Sequence, residues 1–225
     1  MKVTTDACLF GAWAAQALAQ EPLGAQTTAR LLDIGAGTGL LSLMIAQQTS
    51  LQITGIEIDP AAASQAVENI KASPFAGRVE CTGADIRGYQ AEQKFDIIVS
   101  NPPFYEKELR SPDPLKNLAH HGGIALEELL TAIRLHLKAG GIFFLLLPPK
   151  READLLRLSP EQGLRLEECV RVKQRPGSPV IRMLWRGRAE SGALPLQETE
   201  WAIEDGRQSW SKSFTALLQP YYLRL

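Results

Sequence analysis

From residue 29 onward, short apolar runs alternate with stretches of helical period, the pattern of successive βαβ units. Residues 29–34 form an apolar run that predicts a first strand, and a glycine-rich turn over 35–39 leads into a helix over 40–48. A second strand is expected at 51–58, where Asp59-Pro60 then opens a helix reaching residue 70. Further strands are predicted at 78–81 and 95–100, a helix at 124–137 stopped by Gly140-Gly141, and a fully buried strand at 142–147. A helix at 151–158 precedes strands near 164–173 and 180–186, joined by hairpin-loop chemistry in Arg175-Pro176-Gly177-Ser178-Pro179. A last strand at 200–203 and a short helix at 210–218 close the chain. The polar stretch over 105–123, which holds His120 and His121, is too long for a plain connector.

The first 20 residues carry two readings. Lys2 followed by the apolar run 7–15 has the outline of a secretory signal. Asp6 and Gln16 interrupt that outline. The same residues read as an amphipathic helix with Leu9, Trp13 and Leu18 on its buried side and Thr5 or Asp6 as N-cap.

With 225 residues, 45% of them hydrophobic, the chain can bury the core of one domain without staples. We therefore expect residues 1–225 to form a single domain. Three scattered cysteines without a CxxC pair argue against a disulfide framework or structural zinc, and three histidines leave little for any metal centre. No metal is expected. A net charge of −1 excludes a protein that coats nucleic acid with its whole surface, although a local basic patch is still possible. No apolar run approaches the ~18 residues of a membrane span.

The glycine turn reads Asp33-Ile34-Gly35-Ala36-Gly37-Thr38-Gly39. Glycines there let a ligand approach the backbone, and the helix start offers unpaired N–H groups. Leu40 occupies the place where a dinucleotide fingerprint needs a small residue, which disfavours a nicotinamide dehydrogenase. Glu57 ends the second strand, where a carboxylate can accept two ribose hydroxyls. Asp85 follows the third strand, and Asp59 reads mainly as a helix cap. Three acids at successive strand ends point to one crevice.

After the fourth strand come Asn101-Pro102-Pro103-Phe104. Two prolines remove two donors and leave neighbouring carbonyls as acceptors, which with the Asn101 amide oxygen suit an exocyclic NH2 group. Phe104 offers a face for a planar ring.

The DxGxGxG spacing resembles the first motif of Rossmann-like, class I S-adenosylmethionine-dependent methyltransferases. The NPPF tetrapeptide resembles their [DNS]PP[YFW] motif, shared by adenine N6, guanine N2 and glutamine amide enzymes. Over nearly its whole length the chain resembles the bacterial tRNA(Val) adenine-N6 methyltransferase family, in residues 1–13, 33–41, 69–74, 101–105 and 213–223. That resemblance implies a doubly wound α/β fold with a mostly parallel, seven-stranded sheet ending in an antiparallel hairpin. It implies that S-adenosylmethionine is the cofactor, held by Asp33, Gly35, Ala36, Gly37, Gly39, Glu57, Ile58, Asp85 and Ile86. Asp33 would contact its amino-acid moiety, Asp85 and Ile86 its adenine, and helix 1–20 would help cover it. Asn101, Pro102, Pro103 and Phe104 would present the N6 amine of the adenine following the anticodon, in a cytoplasmic enzyme acting on tRNA. Thr4 stands where the family has glycine, and Phe104 where adenine enzymes commonly have tyrosine. The chain also opens inside the family's N-terminal segment, so some residues ahead of Lys2 are expected to be missing.

The alternatives are a guanine-N2 rRNA or protein glutamine-amide methyltransferase, and a non-catalytic RNA-binding module with a relic crevice. The stretch 171–188 holds Arg171, Lys173, Arg175, Arg182, Arg186 and Arg188 and no acid. Arg171, Lys173 and Arg175 alternate along a strand and are expected to meet RNA phosphates; a solvated edge hairpin is the plainer reading.

Overall fold

The computed structural model describes residues 4–102, 124–190, 192, 194–207 and 209–222. Pro103, Phe104, His120, His121 and the whole stretch between them therefore lie outside the described residues. Eight strands form one sheet: β1 (Arg30–Ile34), β2 (Gln52–Glu57), β3 (Val79–Gly83), β4 (Phe95–Ser100), β5 (Leu137–Leu147), β6 (Arg165–Lys173), β7 (Val180–Arg188) and β8 (Gln197–Ala202). Their order is β3-β2-β1-β4-β5-β7-β6-β8. The doubly wound α/β class expected from sequence is present, with eight strands rather than seven, because β8 pairs in parallel with β6 and extends the edge. Only β7 runs against the others, since it is antiparallel to both β5 and β6.

Among the described residues, six helices flank the sheet: α1 (Thr5–Gln20), α2 (Leu40–Gln48), α3 (Pro60–Lys71), α4 (Leu126–His136), α5 (Glu152–Glu161) and α6 (Lys212–Leu218). One apolar layer joins residues of α1, α2 and α6 to alternate strand residues such as Leu31, Val99 and Phe144. The other joins α4 and α5 to Leu32, Ile98 and Phe143, as the two-residue alternation of a covered sheet requires. No helix among the described residues is long and apolar enough to cross a membrane, and none of their side chains group as a metal site would require.

Two expectations need correcting. α1 is not amphipathic: besides Leu9, Trp13 and Leu18, every residue from Ala7 to Ala15 is buried. Its N-cap is Thr4 rather than Thr5 or Asp6, and Asp6 instead receives the Arg182 guanidinium at 2.7 Å. The helix expected to run to residue 137 ends at His136, and Leu137 already pairs with Phe95. Gly140 and Gly141 fall inside β5 after a register shift, with Gly140 at φ +72°.

Strand order reverses between β1 and β4, so the carboxyl ends of these neighbours form the crevice that open α/β sheets offer to ligands.

Candidate active site

Ile34 and Ser100 are register partners at the last rungs of β1 and β4, and the Ser100 hydroxyl donates to the Ile34 carbonyl at 2.8 Å. Gly35, the first glycine of one sequence motif, and Asn101, the first residue of the other, leave the sheet from that stitched pair. Here the chain opens a cleft. Its walls include Gly35, Glu57, Ile58, Asp85, Ile86 and Pro102, six of the residues singled out from sequence. Asp33, Ala36, Gly37, Gly39 and Asn101 belong to the supporting strand end and loops and do not line it.

The glycine turn is held by its own backbone. The Gly35 and Ala36 amides both donate to the Ile56 carbonyl, at 2.8 and 3.0 Å, and the Gly39 amide donates to Ala36. Gly35 and Gly37 have φ of +74° and +59°, where a side chain would be strained, so glycine is needed for the path of the chain. The Asn69 amide of α3 donates to the Thr38 carbonyl at 2.9 Å and fixes the outer side of the loop.

Glu57 is buried at the end of β2 and accepts two backbone N–H groups, from Gly37 at 2.7 Å and from Asp59 at 2.9 Å. Its carboxylate thus braces the glycine loop against the turn that starts α3. Asp59 caps that helix as expected, its side chain accepting from the Ala61 amide.

Asp33 is fully buried, and the Ser42 hydroxyl of α2 donates to its Oδ2 at 2.7 Å. Its Oδ1 is buried without a hydrogen-bond partner among the described residues. Burial pushes the carboxyl up to about 6; the Ser42 hydroxyl and amide pull it down, and the nearby Glu57 charge raises it. The Cys81 thiol is pushed up to about 11 by burial, with the Asp33 and Glu57 charges adding to the effect.

Asp85 is more open. Its two oxygens accept from the Arg87 guanidinium at 2.6–2.9 Å, and Oδ1 also accepts the Arg87 amide at 3.0 Å. Hydrogen bonding to Arg87 holds the Asp85 carboxyl below the usual range. Ser42, Arg87, Ser100 and Ile124 are site residues that sequence reasoning missed. Ser42 carried a signal, being a hydroxyl within the apolar run that opens α2.

The cations expected to meet phosphate are paired within the protein. Arg171 bonds Glu152 and Glu198, Lys173 bonds Glu200 at 2.8 Å, and Arg175 bonds Glu204 at 3.0 Å. Arg186 and Arg188 both reach Glu21 and Glu167. The stretch 171–188 contains no acid, but β8 lays its own alongside. Among the described residues, none from α1 lines the cleft; that helix packs on α2 and α6 across the sheet.

Residues 12–152 match the methyltransferase small domain family. A tRNA1(Val) (adenine(37)-N6)-methyltransferase of Dyadobacter fermentans is 37% identical over 228 residues, covering 100% of this chain and 91% of that protein. The chain belongs to this methyltransferase family. A corresponding enzyme of Pseudoalteromonas translucida is 34% identical over 100% of the chain and 93% of that protein. In fold, the chain is similar to a solved Agrobacterium tumefaciens structure, named a predicted O-methyltransferase. It superposes with a TM-score of 0.66 at 19% identity, covering 91% of this chain and 95% of that one.

The site fits S-adenosylmethionine. A fully buried carboxylate oxygen without a partner needs a donor, and a cationic amino group supplies one. The Gly37 amide is already committed to Glu57, and among the described residues two carboxylates border the cleft beside one cation, Arg87, which suits a cationic ligand better than a pyrophosphate.

Proposed function

We propose that this protein transfers a methyl group from S-adenosylmethionine to the exocyclic N6 of the adenine that follows the anticodon of tRNA(Val), acting in the cytoplasm. The reading is supported above all by the stitched ends of β1 and β4, beyond which Gly35 and Pro102 line one cleft. The substrate named for its full-length relatives supplies the rest.

When bound, the cofactor supplies an electrophilic methyl on a sulfonium. In this reading Asp33 takes its ammonium, Glu57 and Ile58 its ribose side, and Asp85 with Ile86 its adenine, while the glycine turn of Gly35, Ala36, Gly37 and Gly39 wraps it. Asp85 exchanges the Arg87 guanidinium for the adenine amine, at small cost because the pair is half exposed.

Asn101 offers its amide oxygen and Pro102 its carbonyl to the two hydrogens of the target amine. Pro102 and Pro103 lack N–H groups, so no donor competes for those acceptors. Phe104 provides a stacking face for the extruded base. A neutral amine needs no strong base for attack, and catalysis comes chiefly from alignment, worth up to ~7–11 kcal/mol in favourable cases.

The test is nucleoside mass spectrometry on unmodified tRNA incubated with the protein and S-adenosylmethionine. N6-methyladenosine beside the anticodon is expected. N2-methylguanosine, or methylation of protein glutamine alone, would refute the base assignment.

A further inference from the structure

We propose that Ser42 is a positioning residue for the methyl donor: by engaging Oδ2 of Asp33 it leaves Oδ1 as the acceptor for the donor's ammonium group. The inference rests on the methyl-donor reading above and concerns a side chain that touches no ligand in it.

Ser42 is itself buried, in the first turn of α2, an otherwise apolar helix start. A serine there forgoes the packing of an aliphatic residue, and its one donated hydrogen bond goes to Asp33 at 2.7 Å. Removing the hydroxyl would free Oδ2 to turn toward the ligand or to lose its charge. With only the Ser42 backbone amide left to it, a fully buried carboxylate at the end of a strand loses much of what fixes its rotamer and keeps it ionised.

The carboxyl already stands at about 6, raised by burial and by Glu57, and Ser42 is the group that opposes that rise. Cys81 also faces it, with a thiol pushed up to about 11 that stays neutral at physiological pH. Ser42 thus sets both which oxygen is offered and whether it is charged.

Calorimetric titration with two ligands separates this from a packing role. S-adenosylhomocysteine carries the ammonium; methylthioadenosine lacks the amino-acid arm altogether. Ser42→Ala is expected to weaken S-adenosylhomocysteine about tenfold, the scale of one hydrogen bond to a charged group, and methylthioadenosine by less than about twofold. In an Asp33→Asn background the Ser42→Ala change should add no further loss. Equal weakening of both ligands, or of neither, would overturn the role of Ser42. A wild-type protein that binds neither ligand would instead overturn the methyl-donor reading beneath it.

Discussion

The Gly37 amide donates to the Glu57 carboxylate across 2.7 Å, tying the tip of the glycine turn to the end of the neighbouring strand. With the Asp59 amide on the other oxygen, one buried side chain sets the path of two loops. Glu57→Ala leaves both amides without their acceptor. It should lower stability by about 1–3 kcal/mol and weaken S-adenosylmethionine binding at least tenfold. Thermal melts with and without ligand check both, and an unchanged melting temperature would remove the brace.

In the proposed reading, Asp33 trades stability for binding. Its carboxyl stands at about 6 in the fold against 3.8 in its ordinary state, so between those values the folded protein holds more protons than the unfolded chain. Stability therefore falls as pH rises from about 4 to 6. At about 1.4 kcal/mol per pH unit the cost above pH 6 reaches up to ~3 kcal/mol. Asp33→Asn should raise the melting temperature at pH 7 and weaken S-adenosylmethionine binding at least about tenfold. In the wild type, binding should weaken as pH drops below 6. A lower melting temperature in the variant, with binding retained, would contradict this account.

In the proposed reading, Asn101→Ala removes one of two acceptors for the target amine and touches nothing that holds the cofactor. Turnover should fall at least about 100-fold, the order seen on losing one aligned transition-state contact, with cofactor affinity within about twofold. Single-turnover methylation of tRNA beside calorimetry of S-adenosylmethionine measures the two separately.

On β6, Arg171 and Lys173 are bound by Glu198 and Glu200 of β8. Glu198→Gln with Glu200→Gln releases Lys173 for phosphate and leaves Arg171 held by Glu152 alone. The double variant should bind tRNA more tightly, and the slope of log affinity against log salt should steepen by about one contact. A slope equal to that of the wild type would place the RNA on another surface.

The crevice was legible in the sequence because its parts are local. The glycine turn, Asp59 with its cap, and the strand-end acids each answer a backbone requirement within a few residues. What connects distant segments was not. Arg171 meets Glu198 and Glu152 across 27 and 19 positions, and only the parallel β6–β8 pairing brings the first of these alongside. The buried Ser42–Asp33 contact needs the turn of α2 back over β1. α1 read as amphipathic because alanine and glycine mark no face, yet they are what allow α1 to sit buried on nearly all sides. Gly24 shows how close the packing is, since a Cβ there would lie 2.1 Å from the Leu18 carbonyl oxygen.

The most direct test is a crystal structure with S-adenosylmethionine bound. The ammonium should lie within hydrogen-bonding distance of Asp33 Oδ1, with the methyl directed at Asn101 and Pro102. A donor seated elsewhere, or one whose methyl points away from that segment, would contradict the proposed chemistry.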